Sequence, residues 1–237
     1  MSTGAPEWTA GHPESASAEG LRERKKRLMR KQLSDTATAM FLERGFDAVR
    51  VAEVAAACGV SEKTVFNYFP VKEALVMDRL EATLTALRAG LADAALSPVQ
   101  AALLILDREL AGLTGMLAAR EDASQARQAI RRFGDLIRAT QALRAYQADM
   151  MERSVVVATE VLAERAGMTP DDPEPQIAAR ALLGLWRVQA DSLRRHLDRA
   201  ASPALLREQV AADVRRAAQL IHTGLRAFAT PGPLASR

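Results

Sequence analysis

Two lysines, three hydroxyl groups and an asparagine amide lie close together within residues 61–72. Cations and hydroxyls bind phosphate oxygens, and polar side chains on a groove-sized helix reach base edges. Lys63, Thr64 and Asn67 fall on the outward side of a predicted short helix, and Tyr68 adds a hydroxyl suited to a phosphate oxygen. Lys72 opens the next predicted helix, where its charge and the backbone N–H groups can meet the same phosphate. The segment predicts DNA binding, the alternative being side chains that are simply exposed on a structural helix.

Local signals predict the helices that position these side chains. A short helix at 51–58 precedes Gly59, which can turn the chain because glycine adopts a positive φ at no steric cost. Ser61 caps a second helix at 62–69. Pro70 ends that helix because proline has no N–H to donate. The pattern predicts two short helices joined by a tight turn.

The segment C-G-V-S-E-K-T-V-F-N-Y-F-P-V-K-E-A-L at residues 58–75 resembles the DNA-binding signature of TetR-type transcriptional repressors, A-G-V-S-x-x-T-x-Y-x-Y-F-x-x-K-E-x-L. The strong resemblance is confined to the N-terminal domain, and the later helices agree only in number, length and order. It implies base contacts by Lys63 and Asn67 and phosphate contacts by Thr64, Tyr68 and Lys72. Ser61 is counted with these DNA-binding residues.

Two positions depart from the family pattern. Phe66 replaces the usual tyrosine and lacks a hydroxyl, so we assign it no polar contact with DNA. Arg50 stands at the start of the second helix, where threonine or serine is common. It is a candidate phosphate contact, with simple surface exposure as the alternative.

Charge is unevenly distributed although the net charge is only +3. All five lysines fall between residues 25 and 72, and residues 22–31 hold seven bases and one acid. This basic run suits a nucleic-acid partner, or else forms a solvated helix face. The single Cys58 excludes an intramolecular disulfide, and the chain shows neither a signal-peptide pattern nor a transmembrane run. We therefore expect a cytoplasmic protein with no membrane partner.

Helical periodicity without any strand pattern predicts an all-α fold of about nine helices. We expect a disordered tail at 1–19, a helix-turn-helix DNA-binding domain at 20–75 and a ligand-binding and dimerisation domain at 76–230. The predicted helices span 20–44, 51–58, 62–69, 71–94, 98–111, 124–138, 140–166, 174–199 and 203–228.

The family resemblance also implies a small-molecule effector and a homodimer formed by the last two helices. Large or adaptable side chains on the later helices are candidate pocket residues, with ordinary core packing as the alternative: Phe133, Tyr146, Met150, Trp186 and Gln189. Few acids interrupt the apolar stripes, which favours a largely apolar effector. Small residues on the last two helices suit close approach of a partner, or else close the monomer core.

No enzyme signature occurs: the three histidines are scattered, and metal-binding, nucleophile and phosphate-loop motifs are absent. We expect no catalytic residue, cofactor or metal. The predicted function is a ligand-responsive repressor that binds a palindromic operator as a dimer. The alternatives are an activator of the same fold and a helical ligand-binding protein without DNA function.

Overall fold

The structure is a computed structural model that describes residues 20–224. These residues form nine α-helices and one 3-10 helix, with no strand among them, so the all-α prediction is confirmed. The 3-10 helix, Lys72–Leu75, lies between α3 and α4. The α-helices are α1 (Leu21–Arg44), α2 (Val51–Ala57), α3 (Glu62–Tyr68), α4 (Asp78–Ala92), α5 (Pro98–Ala118), α6 (Ala123–Ala139), α7 (Gln141–Ala166), α8 (Pro173–His196) and α9 (Pro203–Thr223). The predicted tail at 1–19 and residues 225–228 of the last predicted helix lie outside the described residues.

The described residues divide into two compact units. The first contains residues 20–82 and 115–150, and the second contains 83–114 and 151–224. These units differ from the predicted ranges 20–75 and 76–230, because α6 and the first half of α7 pack on the N-terminal helices. Leu143 is buried in that core, and Arg132 Nη2 donates to the backbone carbonyl of Leu42 at 2.6 Å.

The core of the first unit collects the inward sides of the N-terminal helices. Gly45 ends α1 with a φ of +87°, and the Phe46 ring just beyond it lies 5.0 Å from the Phe41 ring. Burial of such aromatic and aliphatic side chains stabilises the unit by removing apolar surface from water. The largest buried members of this core are Leu33, Phe41, Phe69, Leu75 and Leu143.

The second unit has its own core, to which α8 and α9 contribute together. Beside that core, Asp213 of α9 is only 11% exposed and faces α8. Its Oδ2 accepts from Ser192 Oγ at 2.7 Å and from Arg195 Nη2 at 2.9 Å, and it lies 3.3 Å from His196 Nε2. Its Oδ1 accepts from Arg216 Nη2 at 2.6 Å. One carboxylate therefore joins the last two helices.

The prediction of one continuous helix at 71–94 is wrong at its N-terminal end. Val71 is extended, with φ −136° and ψ 156°, and the following 3-10 helix is separate from α4, which begins at Asp78. The apolar spacing alone could not distinguish this break from a continuous helix. Conversely, α5 continues to Ala118 rather than ending at 111, because Leu113 and Leu117 extend its buried side past two glycines. A helix tolerates an interior glycine at a cost of about 1 kcal/mol.

Candidate DNA-binding surface

The turn and helix that were predicted to present the DNA contacts form as expected from local chemistry. Gly59 has a φ of +69°, the positive value that the turn requires. The Ser61 hydroxyl accepts the backbone N–H of Thr64 at 3.1 Å and so caps α3. Val65 and Phe69 are buried and hold the inner side of α3 against the core.

The outer side of α3 is available to a partner. Lys63 and Asn67 are exposed, while Thr64 and Tyr68 are half-buried. The Thr64 and Ser61 hydroxyl oxygens are 2.8 Å apart and hydrogen-bond to each other at the start of the helix. Phe66 is 43% exposed on the same helix and offers only an apolar surface. A cation and an amide thus stand at exposed positions of α3.

The Lys72 side chain makes contacts within the protein that the sequence did not predict. It begins the 3-10 helix rather than an α-helix. Its Nζ donates to the backbone carbonyl of Phe46 at 2.6 Å and lies 4.3 Å from the centre of the Phe46 ring and 5.5 Å from that of Phe41. Such cation–π contacts stabilise a folded protein by about 0.5–2 kcal/mol. Lys72 therefore supports the fold of the first unit, and its contact with phosphate stays a prediction.

Arg50 occupies the residue before α2, and its side chain is 83% exposed. The Glu53 carboxylate accepts the Arg50 backbone N–H at 2.8 Å and pairs with Arg44 Nη2 at 2.7 Å. These hydrogen bonds, that of the Arg50 N–H first, hold the pKa of Glu53 below its ordinary value. The Arg50 guanidinium is only loosely paired, with its Nε 3.7 Å from Glu53, and remains exposed to solvent.

Arg30 is a residue of this surface that the sequence analysis missed. Its Nη1 donates to the backbone carbonyl of Tyr68 at 2.9 Å, and its Nε pairs with Asp78 at 2.6 Å. The guanidinium also lies 4.6 Å from the centre of the Phe69 ring. The only available signal was its position three residues before buried Leu33 on α1. Its partners lie 38 and 48 residues away in sequence, so they could not be recognised from local spacing.

Comparison with protein families identifies both parts of the chain. The model described as "Bacterial regulatory proteins, tetR family" matches residues 33–78, which contain the turn, α3 and the 3-10 helix. The model described as "MftR C-terminal domain" matches residues 113–217. The chain belongs to the TetR family. TetR-family members are DNA-binding regulators rather than enzymes, and they bind small-molecule effectors, typically as dimers.

Several solved structures of TetR-family regulators are similar to this chain. One from Mesorhizobium loti MAFF303099 is 21% identical, with a TM-score of 0.43, over 85% of this chain and 98% of its own. One from Rhodococcus sp. is 19% identical, with a TM-score of 0.38, over 80% and 97%. One from Streptomyces coelicolor is 19% identical, with a TM-score of 0.35, over 92% and 93%. No curated protein sequence matches the chain.

The candidate effector residues of this TetR-family chain fall in both compact units. Phe133, Tyr146 and Met150 belong to the first unit, where Met150 is buried and the two aromatic side chains pack against the core. Trp186 and Gln189 belong to the second unit and are half-buried. Their role in binding an effector stays a prediction.

The second unit also contains a half-buried carboxylate that sequence reasoning missed. Trp186 Nε1 donates to Glu109 Oε2 at 3.2 Å, and the Thr83 hydroxyl donates to Glu109 Oε1. This cluster links α4, α5 and α8 within the second unit. Glu109 follows Asp107 and Arg108, two exposed charged residues, so in sequence it resembles another exposed charge and nothing in α5 itself indicated this role.

Residues 20–224 contain no group of three or more histidine, cysteine, aspartate or glutamate side chains that could hold a metal ion. Within the same range, no helix is both long and apolar enough to span a membrane. Cys58 is half-buried, with its Sγ 4.0 Å from the backbone carbonyl of Gln32.

Proposed function

We propose that this chain is a ligand-responsive repressor that binds a palindromic operator as a dimer and leaves it when a small, largely apolar effector binds. The observation that carries the proposal is the exposed pair Lys63 and Asn67 on the outer side of a capped helix. Residues 20–75 would act as the DNA-binding domain, and residues 76–230 as the ligand-binding and dimerisation domain.

The proposed DNA contacts separate by side-chain chemistry. Lys63 and Asn67 read base edges, because an amide can pair with adenine and an ammonium group with guanine. The phosphate contacts hold the domain in register on the duplex and carry no sequence information themselves. We assign those contacts to Arg50, Ser61, Thr64, Tyr68 and Lys72.

The proposed dimer interface is formed by α8 and α9 of each protomer. Ile177 is 67% exposed on α8, Leu220 is 43% exposed on α9, and Gly184 is exposed on α8. Exposed apolar side chains on both helices, with an exposed glycine on α8, suit packing against a second copy related by two-fold symmetry. Such a dimer presents two α3 helices to half-sites about one DNA turn, or a multiple of it, apart, and the operator is therefore palindromic.

The effector acts by shifting populations between two arrangements of the dimer. One arrangement spaces the two α3 helices for the operator, and the effector binds better to the other. Operator affinity then falls by the coupling free energy, typically about 1–3 kcal/mol. We propose that α4 carries this change, because it begins in the first compact unit and ends in the second.

Selection of bound duplexes from a random pool tests the DNA-binding function. The wild-type chain should enrich one palindrome, and Asn67→Ala should change the preferred base at a fixed position in each half-site. Gln128→Ala is the matched control, because it removes another exposed amide of the first unit, on α6. An Asn67→Ala protein that enriches the same palindrome with the same discrimination would refute base reading by Asn67.

Release from the selected palindrome and transcription in vitro test the regulatory function. Trp186 can report effector binding in a Trp8→Phe background, because the chain has only two tryptophans. Compounds that change its emission should also release the palindrome and restore transcription that the protein has inhibited. Increased transcription on protein binding would identify an activator instead. If no bound compound alters operator affinity, ligand control is refuted.

A further inference from the structure

The first turns of α1 form a basic segment, residues 22–26, that the proposed DNA contacts do not include. Arg22, Arg24, Lys25 and Lys26 are all exposed, and Glu23 is the only acid among them. None of the four basic side chains has a hydrogen-bond or ion-pair partner within the part of the chain that the structure describes. Four cations are therefore available at one end of the first unit.

The basic segment is not part of the apolar packing of α1. Leu33, Ala37 and Phe41 are buried on one side of the helix. Lys26 and Arg22 continue that side, seven and eleven residues before Leu33, yet both are exposed. The helix thus projects beyond the core of its unit with positive charge on several sides.

Glu23 complements the positive end of the helix dipole, but the four cations disfavour the helix that carries them. Cations in the first turn oppose the positive end of the helix dipole. Like charges four residues apart, as at Arg22 and Lys26, destabilise a helix by about 0.2–0.5 kcal/mol per pair. A polyanion that neutralises the segment would remove both penalties, whereas exposure to water leaves them in place.

The geometry places the basic segment beside the end of α3. Arg30 of α1 donates to the backbone carbonyl of Tyr68, the last residue of α3, at 2.9 Å. At a rise of about 1.5 Å per residue, Lys26 begins about 6 Å and Arg22 about 12 Å further along α1. Lys26 therefore begins about one turn of α1 from this contact, and Arg22 about two turns from it.

We propose that the basic segment is a second DNA-backbone site, which binds phosphates without reading sequence. The proposal rests on the proposed function, because it extends the same interface. The segment lies before residue 33, where the match to the TetR family model begins. Duplex DNA offers about one charge per 1.7 Å of helix axis, a density that complements closely spaced cations.

The salt dependence of DNA binding tests this site in the full-length protein. The slope of log K against log salt is negative, and each phosphate contact that is lost reduces its magnitude by about 0.9. Lys25→Gln/Lys26→Gln should therefore reduce that magnitude by up to about 1.8 per protomer, on the selected palindrome and on a 40-base-pair duplex of random sequence alike. The preferred palindrome should not change. Arg108→Gln/Arg199→Gln is the matched control, because both arginines are exposed in the second unit.

Three results would overturn the proposal. The first is an unchanged slope in the Lys25→Gln/Lys26→Gln protein, and the second is an equal fall in the control pair, which would reflect net charge alone. The third is a reduced magnitude of the slope in Lys25→Arg/Lys26→Arg, which keeps both charges. Circular dichroism should show that helix content is retained in every variant. If the wild-type chain bound no duplex, the proposed function itself would fail, an outcome distinct from an unchanged slope.

Discussion

Arg30 of α1 donates its Nη1 hydrogen to the backbone carbonyl of Tyr68 at 2.9 Å. That carbonyl belongs to the last residue of α3, whose end would otherwise leave it without a helical partner. The same guanidinium pairs with Asp78 at the start of α4. One side chain therefore joins three helices of the first unit at the point where the proposed DNA-reading helix ends.

Replacing Arg30 by methionine should lower the free energy of unfolding by about 1–2 kcal/mol, because hydrogen bonds of a charged donor contribute about 1.5–3 kcal/mol and this side chain is partly exposed. Operator affinity should fall as well, since the end of α3 loses its anchor. Asp78→Asn should cost less, because its amide oxygen can still accept a hydrogen bond. Urea unfolding of the wild type and of each variant measures these differences in the free energy of unfolding. Arg24→Met, which removes an exposed arginine of the same helix, should change stability by less than about 0.5 kcal/mol.

Lys63 and Lys72 should behave differently although both are proposed DNA contacts. Lys72→Met should lower both stability and DNA affinity, because its ammonium group donates to the Phe46 carbonyl and lies over two aromatic rings. We expect a stability loss of about 1–2 kcal/mol. Lys63→Met should leave stability unchanged, because Lys63 is exposed, and should weaken only DNA binding. Thermal unfolding and fluorescence anisotropy on the selected duplex separate the two effects. Equal stability of both variants would contradict the structural role of Lys72.

The helix α3 was predictable because the residues that define its ends and its buried side lie close together in sequence. Gly59, Ser61 and Pro70 mark the turn and the ends, and the spacing of Val65 and Phe69 defines the buried side. Capping and chain reversal depend on residues within one or two turns, so short sequence windows contain the relevant chemistry.

The contacts that sequence reasoning missed all join distant residues. Arg132 hydrogen-bonds to Leu42, which lies 90 residues away in sequence, and Trp186 hydrogen-bonds to Glu109, which lies 77 residues away. Apolar periodicity shows which side of a helix is buried but not which helix covers it. The boundary after residue 75 was placed by the end of the motif, whereas packing assigns residues 115–150 to the first unit.

The stability of the second unit should depend on pH through Asp213. The hydrogen bond from Ser192 is the main cause that holds the pKa of Asp213 below its ordinary value, and His196 and two arginines add to it. Because the folded state favours the ionised carboxylate, the contribution is complete above the ordinary carboxyl range near pH 4. It is lost as the pH falls through the lowered pKa.

Asp213→Asn tests this linkage because it removes the charge and keeps the shape. At pH 6, the free energy of unfolding of the variant should be about 1–3 kcal/mol lower than that of the wild type. The difference should shrink as the pH falls below about 4 and through the lowered pKa of Asp213, because the carboxylate then takes up a proton. Asp171→Asn, at an exposed acid in the loop between α7 and α8, serves as the control. A difference that stays constant from pH 6 to pH 3 would rule out a contribution from ionisation.

Gly184 offers a direct test of the proposed dimer interface. A Cβ placed on Gly184 meets no atom within 4 Å, so the protomer has room for a side chain there. Replacing a helical glycine also removes a helix penalty of up to about 1 kcal/mol. Gly184→Arg should therefore leave each protomer folded, while its long charged side chain blocks a second copy from approaching α8. Sedimentation should show monomers, and affinity for the palindrome should fall by at least about tenfold, because one protomer alone binds a single half-site.

Gly115→Arg is the matched control for this experiment. Gly115 is also exposed on a helix, also has open space where a Cβ would lie, and belongs to the first unit. The control protein should sediment as a dimer and bind the palindrome like the wild type, since α5 at this point lies outside the proposed interface. A Gly184→Arg protein that remained dimeric at the same concentrations would place the interface elsewhere. Monomers that bound the palindrome with undiminished affinity would instead separate DNA binding from dimerisation, and the two-fold reading of the operator would be wrong.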